Sequence, residues 1–380
     1  MRFPNQVWLI TPIIFTATVF PATGQPQVTL DTIAKAWQER QDRFRTVQIT
    51  WEEDHVMTQG GISRGLPPND PGLGVTGPVP PSDHSFKVTH SLVIEGDRYR
   101  YSSQGEIYDA PDRAFVSYDR LAVYDGKVQS TKIKSGNQSH SRGSVQPQNR
   151  GSDMDLTEIY PIAMVVRPVH EKFRSLDIQE FSLTGGSLLI EKRPCPELVR
   201  RMPADRAIRS IWIDPSCDYA VTCDRFQADG KLRSNIDVVF KKDPGAGWIP
   251  STWRVTGYNP SGEVRESYDA RLTRCEVNQP LPTRMFDLDF DPKTRVDDHK
   301  NNEKYIIKDD GSKRPIAKEE NTATFDQLHD TEATGSGKKA WTWRPLVVGA
   351  ALIGLFAAVL GIIYRLRTGR QQHAGAPGAT

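Results

Sequence analysis

Apolar and polar residues alternate with two different periods along the chain. Between residues 29 and 44, Leu30, Ile33, Trp37 and Phe44 recur on one stripe, with Lys35, Glu39, Arg40 and Asp42 elsewhere. That spacing predicts an amphipathic helix, with Thr29 placed to cap it. The period then switches to two: Val47, Ile49 and Trp51 alternate with Gln48, Thr50 and Glu52. This predicts a strand with one buried face. From residue 86 onward strand follows strand. The segments 86–95, 98–102, 114–124, 128–133, 187–192, 207–213, 219–227, 232–241, 248–258 and 264–277 all read as β, with turns such as Asp125-Gly126 between them. Strands joined without intervening helices predict an antiparallel meander. One apolar segment interrupts the series. Leu156 to Val166, bounded by Asp153, Asp155 and Pro168, predicts a short helix limited by Pro161. It either covers the sheet core or forms a lid over an apolar pocket.

Six Gly and six Pro mark residues 57–85 as a loop. Two motif matches fall inside it. Gly61-Ile62-Ser63-Arg64-Gly65 copies the spacing of a nucleophile elbow, and Gly72-Leu73-Gly74-Val75-Thr76-Gly77 that of a dinucleotide fingerprint. Each motif needs a strand before it and a helix after it, and Gly60, Pro78, Pro80 and Pro81 offer neither. The eight histidines supply no zinc-binding motif. His84 and His140 read as loop residues, and only His90 sits in an expected strand, where a lone histidine is usually structural. Asp287, Asp289 and Asp291 alternate like the start of a calcium loop, but Pro292 and Asp298 stand where Gly and Glu are required. No nucleophile–base set assembles, so the expectation is a non-enzymatic protein without catalytic residues, cofactor or metal.

The ends of the chain suggest a compartment. Residues 1–24 read as a secretory signal: Arg2, an apolar stretch from Val7 to Phe20, then Pro21, with Ala22 and Gly24 before a cut at Gln25. Pro345 to Tyr364 is twenty residues without a charge, about 30 Å as a helix and enough to span a bilayer. Trp341 and Trp343 precede it, while Arg365, Arg367 and Arg370 follow and predict a cytoplasmic C-terminus. The expected layout is a signal peptide (1–24), an exported β domain (25–298), a flexible charged linker (299–340), a single transmembrane helix (341–364) and a cytoplasmic tail (365–380). In the exported part, Cys195, Cys217, Cys223 and Cys275 predict one or two structural disulfides, with three pairings open. Lys plus Arg at 49 against Asp plus Glu at 47 gives a formal net charge of +2, which argues against a nucleic-acid partner.

A helix running into a strand, then a long meander with a helical insert, resembles the outer-membrane lipoprotein carrier family and the related periplasmic stress regulator. Local likeness is carried by Ile211-Trp212-Ile213-Asp214-Pro215, by Gly247 to Trp253, by Asn278-Gln279-Pro280-Leu281-Pro282 with Phe286 and Asp297, and by Asp125-Gly126-Lys127. The resemblance implies an α+β fold, mainly antiparallel β: a curved, unclosed half-barrel with helices packed on its concave face. It also implies an apolar space that takes acyl chains. This chain departs from the family by its C-terminal transmembrane helix and by its Gly/Pro loop. The expected lining is Trp37, Phe44, Ile159, Ile162, Met164 and Val165. The expected function is a membrane-tethered periplasmic domain that binds lipid or lipidated protein. The alternative is an envelope sensor or scaffold acting through a protein partner. A reporter active only in the cytoplasm should work when fused after Thr380; activity of the same reporter fused after Asp298 would refute the topology.

Overall fold

The structure, a computed structural model, describes residues 28–61, 79–109, 114–136, 138–147, 159–170, 176–202 and 206–328. Residues 1–27, where a secretory signal is expected, residues 62–78, which hold nearly all of both motif matches, and the apolar span 345–364 lie outside them. No helix among the described residues is long and apolar enough to cross a membrane.

Helix α1 (Leu30–Arg43) starts where the stripe predicts, with the Thr29 hydroxyl accepting from the Thr32 amide. Strand β1 (Thr46–Met57) follows and becomes the centre of a sixteen-stranded sheet. From β1 the chain meanders outward through β2 (His84–Glu95), β3 (Arg98–Asp109), β4 (Ala114–Tyr124), β5 (Val128–Ser135) and β6 (Ser141–Pro147). Helix α2 (Tyr160–Val166) comes next. The chain then re-enters at the opposite edge. Strands β7 (Ser182–Ile190), β8 (Arg193–Met202), β9 (Ala207–Asp214), β10 (Ala220–Ala228), β11 (Lys231–Asp243) and β12 (Gly247–Tyr258) step inward, until β13 (Val264–Val277) pairs with β1. The two edges never meet, so the sheet is unclosed. Register shifts between β1 and β13, β9 and β10, and β11 and β12 insert extra residues on one strand of each pair. Such bulges bend and twist a sheet.

Three features depart from the sequence reading. The sheet runs on beyond β6 through β14 (Thr294–Asp298), and the stretch expected as linker from 299 carries two more strands, β15 (Glu303–Ile307) and β16 (Lys313–Pro315). Tyr305, Ile306 and Ile307 are buried there, a short apolar run masked by charged neighbours. The β6–β14 pair is parallel, breaking the expected all-antiparallel meander. Segment 187–192 is not one strand but the end of β7 and the turn into β8. Its two turn residues, Glu191 (φ 48°) and Lys192 (φ 67°), are left-handed without being glycine, so no turn signal marked them.

The disulfide expectation also fails, because all four thiols are free. Cys195 on β8 and Cys223 on β10 lie on either side of β9, two strand spacings or about 10 Å apart, beyond bridging range. Burial pushes the Cys217 thiol up to about 11 and the Cys223 thiol up to about 12, so both stay protonated at neutral pH.

The main core fills the concave side between the helices and the sheet. Ile33 and Trp37 of α1, Phe44 just after it and Ile162 of α2 share one core with Val47, Ile49, Leu92 and Ile94. Two buried arginines tie the helices together. The Arg40 guanidinium donates to the carbonyls of Val165, Cys217 and Trp248. Arg167, just past α2, donates to the carbonyls of Gln41, Arg45 and Val166. Burial pushes each guanidinium down to about 10, so both remain charged at neutral pH. Arg40→Ala leaves three carbonyls without donors; it should lower the unfolding free energy by about 3 kcal/mol in urea titrations. An unchanged midpoint would show that water replaces the guanidinium.

Candidate functional site

The six residues expected to line a pocket are brought together, but not around a space. Trp37, Phe44, Ile159, Ile162, Met164 and Val165 are each 3% exposed or less and belong to one packed core. The Trp37 indole donates to the Tyr219 carbonyl at 2.7 Å, which fixes α1 against the loop before β10. Side chains therefore fill the space between the helices and the sheet.

An open cleft lies further along the same face. The ladder between β2 and β3 ends at Thr89 and Gln104. Beyond that point β2 continues to pair with β1 as far as His84, and β3 with β4 as far as Asp109. The two hairpins are no longer laddered to each other there, and a cleft of ≈ 910 Å³ lies beside them, lined by residues of β1 to β6 and by Tyr268 of β13. Gly105 sits at the parting: a Cβ there would stand 2.8 Å from Val88 Cγ2, too close for any side chain without a shift.

Aromatic and aliphatic groups wall the cleft. The His84 ring stacks on Phe115 at 3.7 Å, His55 stacks on Phe86 at 4.7 Å, and Tyr108 meets Phe115 edge-on at 5.3 Å. Val88, Val116 and Ile133 add aliphatic surface. Ile107 is 49% exposed and Ile133 38% exposed, large apolar side chains that the fold leaves uncovered at this cleft.

The inner end is polar and closed. Glu53 and His90, 3% and 1% exposed, face each other with 3.2 Å between Oε2 and Nε2. The Trp51 indole donates to Glu53 Oε1 at 2.9 Å, and His90 Nδ1 lies 2.9 Å from the Tyr101 hydroxyl. Trp51 also stacks on His90, with centroids 4.8 Å apart. Further out, His84 Nε2 lies 2.8 Å from Glu106, and His55 Nε2 stands 3.7 Å from Glu266, an ion-pair rather than a hydrogen-bond distance. Burial pushes the Glu266 carboxyl up, but the His55 ring and the Arg265 guanidinium outweigh it and hold the group below the usual carboxylate range. The acids in the cleft that face a histidine are thus committed to it.

His90 is the one of these groups that the sequence placed in a strand. His84 proves to open β2 rather than lie in a loop, and His55 belongs to β1. The signal that finds Glu53, His55 and Met57 is the alternation itself. Carried past Trp51, it puts all three on the inward face. Their polarity hid them, because a strand reading follows apolar residues. Elsewhere, Asp287 and Asp289 pair with Arg284, and Asp291 pairs with Lys132.

Three solved structures resemble this fold at low identity. A LolA superfamily protein of Nitrosomonas europaea is 11% identical, with 69% of this chain and 99% of that chain covered, at a TM-score of 0.36. The lipoprotein LppX of Mycobacterium tuberculosis is 8% identical over 67% of this chain and 97% of that chain, at a TM-score of 0.24. MucB, solved in complex with MucA(peri), is 11% identical over 67% of this chain and 60% of that chain, at a TM-score of 0.19. No protein-family model matches the sequence, and no curated protein does.

If the six helix-side residues are core, a charge there should be intolerable. Met164→Glu should lose about 3 kcal/mol or more of stability, because a carboxylate enters apolar packing without a partner. A folded Met164→Glu protein with an unchanged melting temperature would instead mean an open space at α2.

Proposed function

We propose that this protein binds the acyl chain of a lipid, or of a lipid-modified protein, in the cleft between the β1–β2 and β3–β4 hairpins, and that it does so without catalysing a reaction. The observation that carries this reading is the lining. A cleft of ≈ 910 Å³ walled by Phe86, Phe115, Val116 and Ile107 has the size and polarity of a small-molecule pocket. Leaving Ile107 and Ile133 in water forgoes burial worth about 1 kcal/mol or more for each side chain. An apolar ligand would recover it.

The same proposal places the domain outside the cytoplasmic membrane and tethers it there. Support comes from the sequence alone: the apolar stretch after Arg2, and the uncharged residues 345–364 followed by three arginines. Tethering argues for a domain that receives or presents its ligand close to one membrane.

The test is a fluorescence titration of the full chain, held soluble in an amphipathic polymer, with the conjugated fatty acid cis-parinaric acid. The Ile107→Asp/Ile133→Asp double variant should keep the fold, since both side chains are exposed, and should weaken binding by about tenfold or more. Equal binding by the variant and the parent would remove the cleft as the site. Absence of binding by the parent chain would leave a sensor or scaffold that acts through a protein partner.

A further inference from the structure

We infer that the cleft is built for an anionic amphiphile, whose carboxylate or phosphate is held by Arg142, with the charge of Arg120 nearby, while its chain lies along the aromatic wall. This rests on the acyl-chain reading above and adds the chemistry of the head. Charge in the cleft is sorted by position. Arg120 on β4 is opposite Ile133 on β5, and Ile133 is opposite Arg142 on β6. All three line the cleft. Strand spacing puts the two arginine Cα atoms about 10 Å apart, on the same side of the sheet. Two positive charges therefore flank Ile133, and Arg142 is the one whose side chain is exposed.

The acids of the cleft do not compete for that position. Glu53 is taken by Trp51 and His90, and Glu106 by His84. Asp109 lies at the opposite end of the cleft, where β3 pairs with Ala114. Arg142 is exposed and, among the described residues, makes no hydrogen bond or ion pair. Its guanidinium is therefore open to an incoming anion beside the uncovered Ile133. A planar guanidinium also suits two-point recognition of a carboxylate or phosphate. The apolar path then runs from Ile133 past Val116 and Ile107 to Phe86, away from the arginines.

The experiment compares cis-parinaric acid with its methyl ester, again on the full chain. The parent should bind the acid about tenfold more tightly than the ester. Arg142→Gln should abolish that preference, with ester binding and melting temperature unchanged, and Arg142→Lys should restore part of it. Equal binding of acid and ester by the parent would overturn the anionic head while leaving the acyl-chain reading intact. Binding of neither probe would overturn both. Calorimetry with inorganic phosphate alone separates the sources of the anion. No heat at millimolar phosphate supports an amphiphile, whereas micromolar binding would assign the arginines to a free anion and refute the proposal.

Discussion

The exchange of arginines between the two helices fixes where everything else on the concave face can go. Arg40 of α1 caps the carbonyl of Val165 at the end of α2, and Arg167 after α2 caps the carbonyls of Gln41 and Arg45 around the end of α1. A helix C-terminus leaves carbonyls without donors and carries partial negative charge, so a cation there is doubly favourable. The arrangement is reciprocal, and neither helix can shift without uncapping the other. Arg40 also reaches Cys217 and Trp248, which ties the pair to the strands on the far side of the sheet. Each of these arginines meets carbonyls rather than a carboxylate in the contacts that hold it. A carbonyl cannot be protonated away in the physiological range, so this lock does not loosen with pH.

Once the helices are locked, the geometry of covering a sheet decides where space remains. Strand β1 has twelve residues and is about 40 Å long. Helix α2 has seven residues and reaches only about 10 Å. The helices pack over the half of the strands that carries Ile49, Leu92 and Tyr101, all buried. The other half, from Glu53 to Met57 on β1 and from Val88 back to His84 on β2, is covered by no helix among the described residues. The cleft is thus the uncovered remainder of a concave face.

Much of this architecture was legible in the sequence, for reasons that separate the successes from the failures. The 3.6-residue stripe of α1 and the alternation of Val47, Ile49 and Trp51 mark surfaces buried against apolar partners, and both elements form as read. The Asp214-Pro215 turn is present because Asp214 accepts from the Ser216 amide and caps the one-turn helix after β9. The helical insert is present, and of its two readings, cover for the sheet core or lid over a pocket, its packing matches the first. Apolar residues at helical spacing read the same whether they pack or line a space, and here they pack. Strand β6, with the polar sequence Ser-Arg-Gly-Ser-Val-Gln-Pro, gives no alternation, because it is fixed by its neighbours β5 and β14 rather than by its own pattern.

The same reasoning explains why the site itself was the least legible part. The inner end of the cleft is closed by polar groups whose burial depends on one another. Glu53 is buried with Trp51 and His90 as its partners, and His90 is in turn met by Tyr101. Removing any of them would leave another buried polar group unpartnered, at a cost of about 1–3 kcal/mol. The network therefore holds β1, β2 and β3 in register at the inner end of the cleft, where the hairpins begin to part. Polar residues on an inward face break the rule that locates strand interiors. At Glu53 and His90 the inward face meets paired polar groups of neighbouring strands, so the apolar alternation gives no sign of it.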